Sequence, residues 1–292
     1  MVLIGENLNI MSRRIGEALK QRDSQPIQEM AIAQVEAGMD MIDVNLGPAR
    51  KGGAELMEWV VNIIQEVVDL PLSLDTTNVE AMEAGLRVHR GRALINSISA
   101  RPERIEALMP LVKRYNVPFV GLLLGMEGIP RDADERALLA VQFMSVAEEY
   151  GIPASDIWFD PIVLPINTQQ MQVQGCTEFV KMLPDLAPQS RSTCGLSNVS
   201  NGVPRELRGI INRTYIIMLK RYGLYSAIVD AFDKELKAIV EGKMEAVEHL
   251  IYKAMDGEEI DISKLSKEEI DYVKTAKILL GKTIYSDSWL QV

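Results

Sequence analysis

Eight short apolar runs, each closed off by polar residues, alternate along the chain with longer segments of helical period. The runs lie at 2–5, 41–44, 71–74, 93–95, 118–124, 157–159, 192–196 and 227–229, and helical periodicity is clearest over 25–37, 56–68, 102–115, 134–150 and 212–222. A strand followed by a helix and another strand returns parallel to the first, so this rhythm predicts a parallel sheet wrapped by helices. Eight such units predict a (β/α)8 TIM barrel, because doubly wound sheets usually stop at about five to seven strands. No GxGxxG or P-loop follows any run, which weakens a nucleotide-binding reading. The 292 residues fit one barrel, so the expected domain spans 1–292.

The rhythm changes near the C-terminus. Asp256 and Gly257 break the helical period, and Ser266 with Glu269 forms a capping-box pattern that restarts it. Residues 256–275 are therefore expected to be an acidic, solvated helical insertion in the terminal helix region.

Charge and composition exclude several classes of function. A net charge of −10 and a pI near 4.9 oppose binding to nucleic acid or an anionic membrane. The longest apolar run, PFVGLLLGM at 118–126, falls far short of the ~20 residues needed to cross a bilayer. The opening MVLIGENLN does not read as a secretory signal, so a cytoplasmic location is expected. Two cysteines, Cys176 and Cys194, and two histidines, His89 and His249, offer neither a metal-ligand spacing nor a paired nucleophile and base. Both histidines are expected on the surface, and no protein-bound metal is expected. Carboxylates, amides or a cofactor from outside must do any chemistry.

In a barrel of this kind chemistry sits where strands end. Here those positions hold Glu6, Asn7 and Asn9; Asp43 and Asn45; Asp75 and Asn78; Asn96 and Ser97; Asp160; Ser197 and Asn198; and Asp230. Each alone can be read as a turn or helix cap, but seven of eight strands carrying Asp or Asn at one end point to a ligand rich in donors and poor in phosphate. A flat heterocycle such as a pterin fits: one carboxylate accepts both a ring N–H and the adjacent amino group, and Asn matches the alternating heteroatoms.

Six motifs occur in order: DVNLGP at 43–48, SLDTTN at 73–78, LINS at 94–97, DPIVLP at 160–165, GLSNVS at 195–200 and INRT at 211–214. Together they resemble the methyltetrahydrofolate:corrinoid protein methyltransferases, pterin-binding TIM barrels that are also related to the folate domain of cobalamin-dependent methionine synthase. The resemblance covers roughly residues 1–230. It implies that Asp75, Asn96 and Asp160 hold the pterin, that Gly195 and Ser197 line the pocket, and that Asn198 faces the methyl-bearing N5. It also implies that Arg208 meets the folate, with Arg205 a competing choice. Glu6, Asn9, Asp43, Asn45 and Asn201 are lesser candidates for contact.

The implied reaction moves a methyl group between methyltetrahydrofolate, a substrate, and the cobalt of a corrinoid (cobalamin) supplied by a partner protein, in either direction. N5 is a poor leaving group unless hydrogen-bonded or protonated, so Asn198 would stabilise it and Asp75 would order the network that brings a proton from solvent. Cobalt would be the nucleophile, which explains the missing protein nucleophile. The chain lacks the cobalt-ligand His motif and the thiolate zinc site of larger relatives, so a stand-alone folate unit, homodimeric as in the family, is expected. LLLGMEGIP at 122–130 departs from the more polar residues expected after strand five and leaves the corrinoid partner open. The alternatives are a dihydropteroate synthase-like condensing enzyme, disfavoured by the few basic residues near the last strands, and a noncatalytic folate-binding protein.

Overall fold

The computed structural model describes residues 1–48 and 51–291. Strands β1 (Val2–Asn9), β2 (Met41–Gly47), β3 (Leu72–Thr76), β4 (Leu94–Ser99), β5 (Phe119–Leu122), β6 (Ile157–Asp160), β7 (Arg191–Ser192) and β8 (Ser226–Val229) form one sheet. Their order is β7-β6-β5-β4-β3-β2-β1-β8, and every pairing is parallel. The two edges meet where Ile228 N donates to Cys194 O at 2.9 Å, with Gly195 opposite Ile228. The sheet is thus a nearly closed (β/α)8 barrel.

Around it pack α1 (Arg13–Gln21), α2 (Ser24–Glu36), α3 (Gly53–Gln65), α4 (Val79–Val88), α5 (Pro102–Tyr115), α6 (Ala133–Tyr150), α7 (Ile166–Leu186), α8 (Arg205–Arg221), α9 (Lys234–Val240), α10 (Glu245–Asp256) and α11 (Lys267–Leu279). Among the described residues no helix is long and apolar enough to cross a membrane.

Period-two alternation sorts each strand into two faces. Ile42, Val44, Leu72, Leu74, Ile95, Phe119, Ile157 and Phe159 face the helices, in one core with Met57, Met82, Leu108 and Phe143. Leu3, Ala227 and Val229 do the same toward Ile216, Leu219 and Ile251. The opposite face fills the barrel with a floor of Ile4, Met41, Leu94, Val120 and Trp158. At about 1.5–3 kcal/mol for each large apolar side chain buried, these two layers hold the barrel. Two residues beyond the floor on the same face stand Glu6, Asp43, Asn96, Leu122, Asp160, and, two after Ile228, Asp230. The apolar floor therefore becomes a polar mouth in one step along the strands.

Several boundaries differ from the sequence reading. The seventh run was expected to be strand over 192–196, but β7 ends at Ser192 and Leu196–Ser200 is a 3-10 turn. The fifth strand is the shorter Phe119–Leu122, and α8 begins at Arg205 rather than 212, so INRT lies inside it. His89, expected on the surface, is half-buried: Leu72 N donates to its Nε2 at 3.1 Å, and burial lowers its pKa, keeping it a neutral acceptor. At the C-terminus Gly257 ends α10 in the left-handed region, and Ser266 and Glu269 form the capping box that starts α11. The acidic residues there are solvated, but α11 also buries Tyr272, Ala276, Ile278 and Leu279 in the core beside α8. It is an integral wall of the fold rather than a wholly solvated insertion.

Candidate active site

The mouth is organised around Asp43. Its Oδ1 accepts from Ser73 Oγ at 2.7 Å and from Asn96 Nδ2 at 2.9 Å, so β2 reaches β4 across the face of β3. Ladder register sets Asn45 beside Asp75 and Asp75 beside Asn96. Asn45 Nδ2 donates to Asp75 Oδ2 in a short hydrogen bond, while Asn45 Oδ1 accepts from Gly47 N at 3.0 Å. Burial raises the Asp43 carboxyl to about 6 despite its two donors. Burial, then the negative charge of Asp43, raises Asp75 well above the usual range. The pair therefore resists carrying two charges. It is set to receive donors.

Asp160, at the end of β6, is also buried. Its Oδ1 accepts from Ile162 N at 2.8 Å. Ile162 adopts φ +61°, a left-handed conformation that costs a β-branched residue about 1–3 kcal/mol. The carboxyl is raised to about 6 by burial, against backbone hydrogen bonds from Ile162 and Gly195 and the positive charge of Arg136.

On the far side of the mouth lies the 3-10 turn. Ser197 Oγ donates to Glu6 Oε1 at 2.6 Å, tying this turn to β1. Arg208, from the first turns of α8, donates through Nε to Ser200 Oγ at 3.1 Å and through Nη2 to Ser197 O at 3.3 Å. The Glu6 pKa is raised chiefly by burial, with Asp230 and Asp43 adding to the shift and Ser197 and Arg208 opposing it. Asn198 N donates to Gly195 O at 3.2 Å, leaving the Asn198 side chain exposed at the mouth. A Cβ on Gly195 would stand 3.1 Å from Asn198 Nδ2, so glycine is what lets this amide lie close over the backbone.

The fold thus brings Asp75, Asn96, Asp160, Gly195, Ser197, Asn198, Glu6, Asp43 and Asn45 to one end of the barrel. Others do local work. Asn9 Oδ1 accepts from Met11 N at 2.9 Å, and Asn78 caps α4 by accepting from Ala81 N at 2.9 Å. Asp230 Oδ1 accepts from Asn7 Nδ2 at 2.9 Å. Asn201 closes the 3-10 turn and is exposed, as is Arg205 at the start of α8. Arg208 braces the turn rather than standing free. Two participants escape the rim reading. Ser73 was legible as the residue two before Asp75 on one strand face. Arg136, fully buried, sits on the α6 stripe 133-136-140-143-147, where a charge is out of place.

Residues 5–230 match the pterin-binding enzyme family. The chain is 27% identical over 242 residues to a methylcorrinoid:tetrahydrofolate methyltransferase of Eubacterium limosum, covering 82% of this chain and 89% of that protein. It is 26% identical over 264 residues to a methionine synthase of Mycobacterium leprae, covering 86% of this chain but only 22% of that longer protein. Among solved structures, Xanthomonas albilineans dihydropteroate synthase with 4-aminobenzoic acid superposes with a TM-score of 0.61 at 19% identity, covering 83% of this chain and 92% of that one. That last likeness is one of fold.

Proposed function

The chain belongs to the pterin-binding enzyme family, and from that premise we propose that it moves a methyl group between N5 of methyltetrahydrofolate and the cobalt of a corrinoid carried by a partner protein. The observation that carries this reading is the convergence of buried acceptors on one side of the mouth with an exposed amide on the other. Asp75 takes the paired N–H donors of the pterin edge, Asn96 offers an amide oxygen already aligned by its bond to Asp43, and Asp160 closes the ring. Gly195 lets the flat ring approach the backbone, and Ser197, fixed to Glu6, lines the pocket. Arg208 holds the turn in place. The name of the Eubacterium limosum relative, which pairs methylcorrinoid with tetrahydrofolate, supports this substrate pair.

The corrinoid supplies the methyl acceptor or donor, so no side chain has to act as nucleophile. What the chain contributes is binding and charge stabilisation. As the methyl leaves N5, negative charge develops on that nitrogen, and an Asn198 amide directed at it strengthens its hydrogen bond in the transition state. Asp75 orders the polar network through which a solvent proton arrives.

Mixing the protein with methyltetrahydrofolate and free Co(I) cobalamin tests the reading: the methylcobalamin spectrum is expected to grow in. No spectral change would sink it in favour of a condensing enzyme or a noncatalytic folate binder. Asn198→Ala is expected to slow single-turnover methyl transfer by roughly 10²-fold, the scale for losing one such donor, with folate affinity little changed. An unaltered rate removes Asn198 from the mechanism.

A further inference from the structure

Arg136 is the fully buried cation of the described residues, and it lies behind the wall of the mouth. Its Nε donates to Pro161 O at 2.8 Å, Nη1 to Asp132 O at 2.9 Å and Nη2 to Gln172 Oε1 at 2.9 Å. All three acceptors are neutral, and Arg136 forms no ion pair among the described residues. A buried charge held only by neutral groups is costly. Helix α7 has made room for it: a Cβ on Gly175 would come 3.1 Å from Arg136 Nη1 and 3.5 Å from Asp132 Cα. The planar fork satisfies three elements at once, which a lysine cannot do.

The group it grips is the turn after β6. Pro161 O also accepts from Cys176 Sγ at 3.5 Å, and Ile162 O does so at 3.1 Å. This is the segment where Ile162 is forced into the left-handed region and turns its N–H onto Asp160. Such a conformation persists only if its surroundings over-determine it. We propose that Arg136 is a positioning residue for Asp160: its fork clamps the 161–162 turn from outside the barrel and so fixes where Asp160 meets the pterin, with a positive charge behind it that favours the carboxylate. This rests on the reading of Asp160 as a pterin ligand.

The groups facing Asp160 support it. From α6 comes Arg136, from α7 the Cys176 thiol, from the segment after β7 the Cys194 thiol, and beyond them, on α8, the Tyr215 hydroxyl. Burial raises the Cys176 thiol to about 12 and raises Cys194 and Tyr215 well above their usual values, so all three are neutral near pH 7. The favourable charge on Asp160 comes from Arg136.

The test is methyltetrahydrofolate binding as a function of pH, followed by calorimetry on the full chain. In Arg136→Gln, which loses fork and charge together, the affinity is expected to fall at every pH and about tenfold further near pH 6 than at pH 8, because loss of a nearby opposite charge raises the carboxyl pKa. Arg136→Lys, which keeps the charge but not the fork, should leave the acid limb in place and lose affinity evenly across pH. Asp160→Asn should bind weakly at every pH. A loss in Arg136→Gln that is equal at all pH values, or an acid limb that moves as far in the lysine variant, overturns the role of Arg136 and leaves that of Asp160 standing. Full binding by Asp160→Asn overturns both. Should Arg136→Gln not fold, Gly175→Ala displaces the guanidinium instead, and a wild-type pH profile in that folded variant also overturns the proposal.

Discussion

Asp43 and Asp75 are neighbours across β2 and β3; burial raises both carboxyls, and the negative charge of Asp43 raises Asp75 further. Without a ligand, the pair holds its protons to a higher pH than isolated carboxyls do. Pterin donors placed on Asp75 would favour its ionised form, which drives binding toward proton release. Calorimetry of folate binding at pH 7 in buffers of differing ionisation enthalpy is expected to report net proton release, and net uptake would refute the assignment. The residue scale is also where sequence reading runs out soonest. The rim acids and amides were visible, since period-two alternation places them two residues past an apolar floor. The bond from Asn96 to Asp43 was not, because it spans 53 positions and passes over an intervening strand. Arg136 escaped the rim reading although it is a charge on an apolar stripe, and its acceptors come from residues that only the fold brings near.

Among the elements, strands with strong β-branched or apolar character were located to within a few residues. The exception was β7, whose run looked continuous over 192–196. There the regular strand ends at Ser192, Thr193 to Gly195 make only isolated bridges to β6 and β8, and the chain turns at Leu196. Capping chemistry did mark the start of α11. Ser266 Oγ accepts from Glu269 N at 3.3 Å, and Glu269 Oε2 accepts from Ser266 N at 2.8 Å. Ser266→Ala is expected to cost about 1 kcal/mol, seen as a lower denaturation midpoint with methyl transfer unchanged. A larger loss, or altered transfer, would mean that α11 is coupled to the mouth.

For the whole molecule, a mouth crowded with buried carboxyls exacts stability. The folded pKa values of Asp43 and Asp160 are about 6, above the ordinary 3.8. A carboxyl raised on folding binds its proton more tightly in the folded state, so stability increases as pH falls from about 6 toward 4. By the linkage relation each group accounts for on the order of 3 kcal/mol at most. The carboxyls with lowered values, Glu135, Glu241, Asp261 and Glu269, lie at the surface, and solvent screens them. The ligand-free protein should therefore melt at a higher temperature at pH 5 than at pH 8, with folate narrowing the difference. A melting temperature that falls steadily on acidification would contradict the buried-acid account.

The ring of strands is completed through Cys194 and Ile228, and the turn bearing Asn198 begins two residues beyond Cys194. An incision in a hoop weakens it least where its ends already only touch. The amide proposed to meet N5 thus hangs from the most sparsely paired part of the hoop, while Asp75 and Asn96 stand on strands paired on both sides. Substrate would be gripped by the stiff arc and admitted by the compliant one.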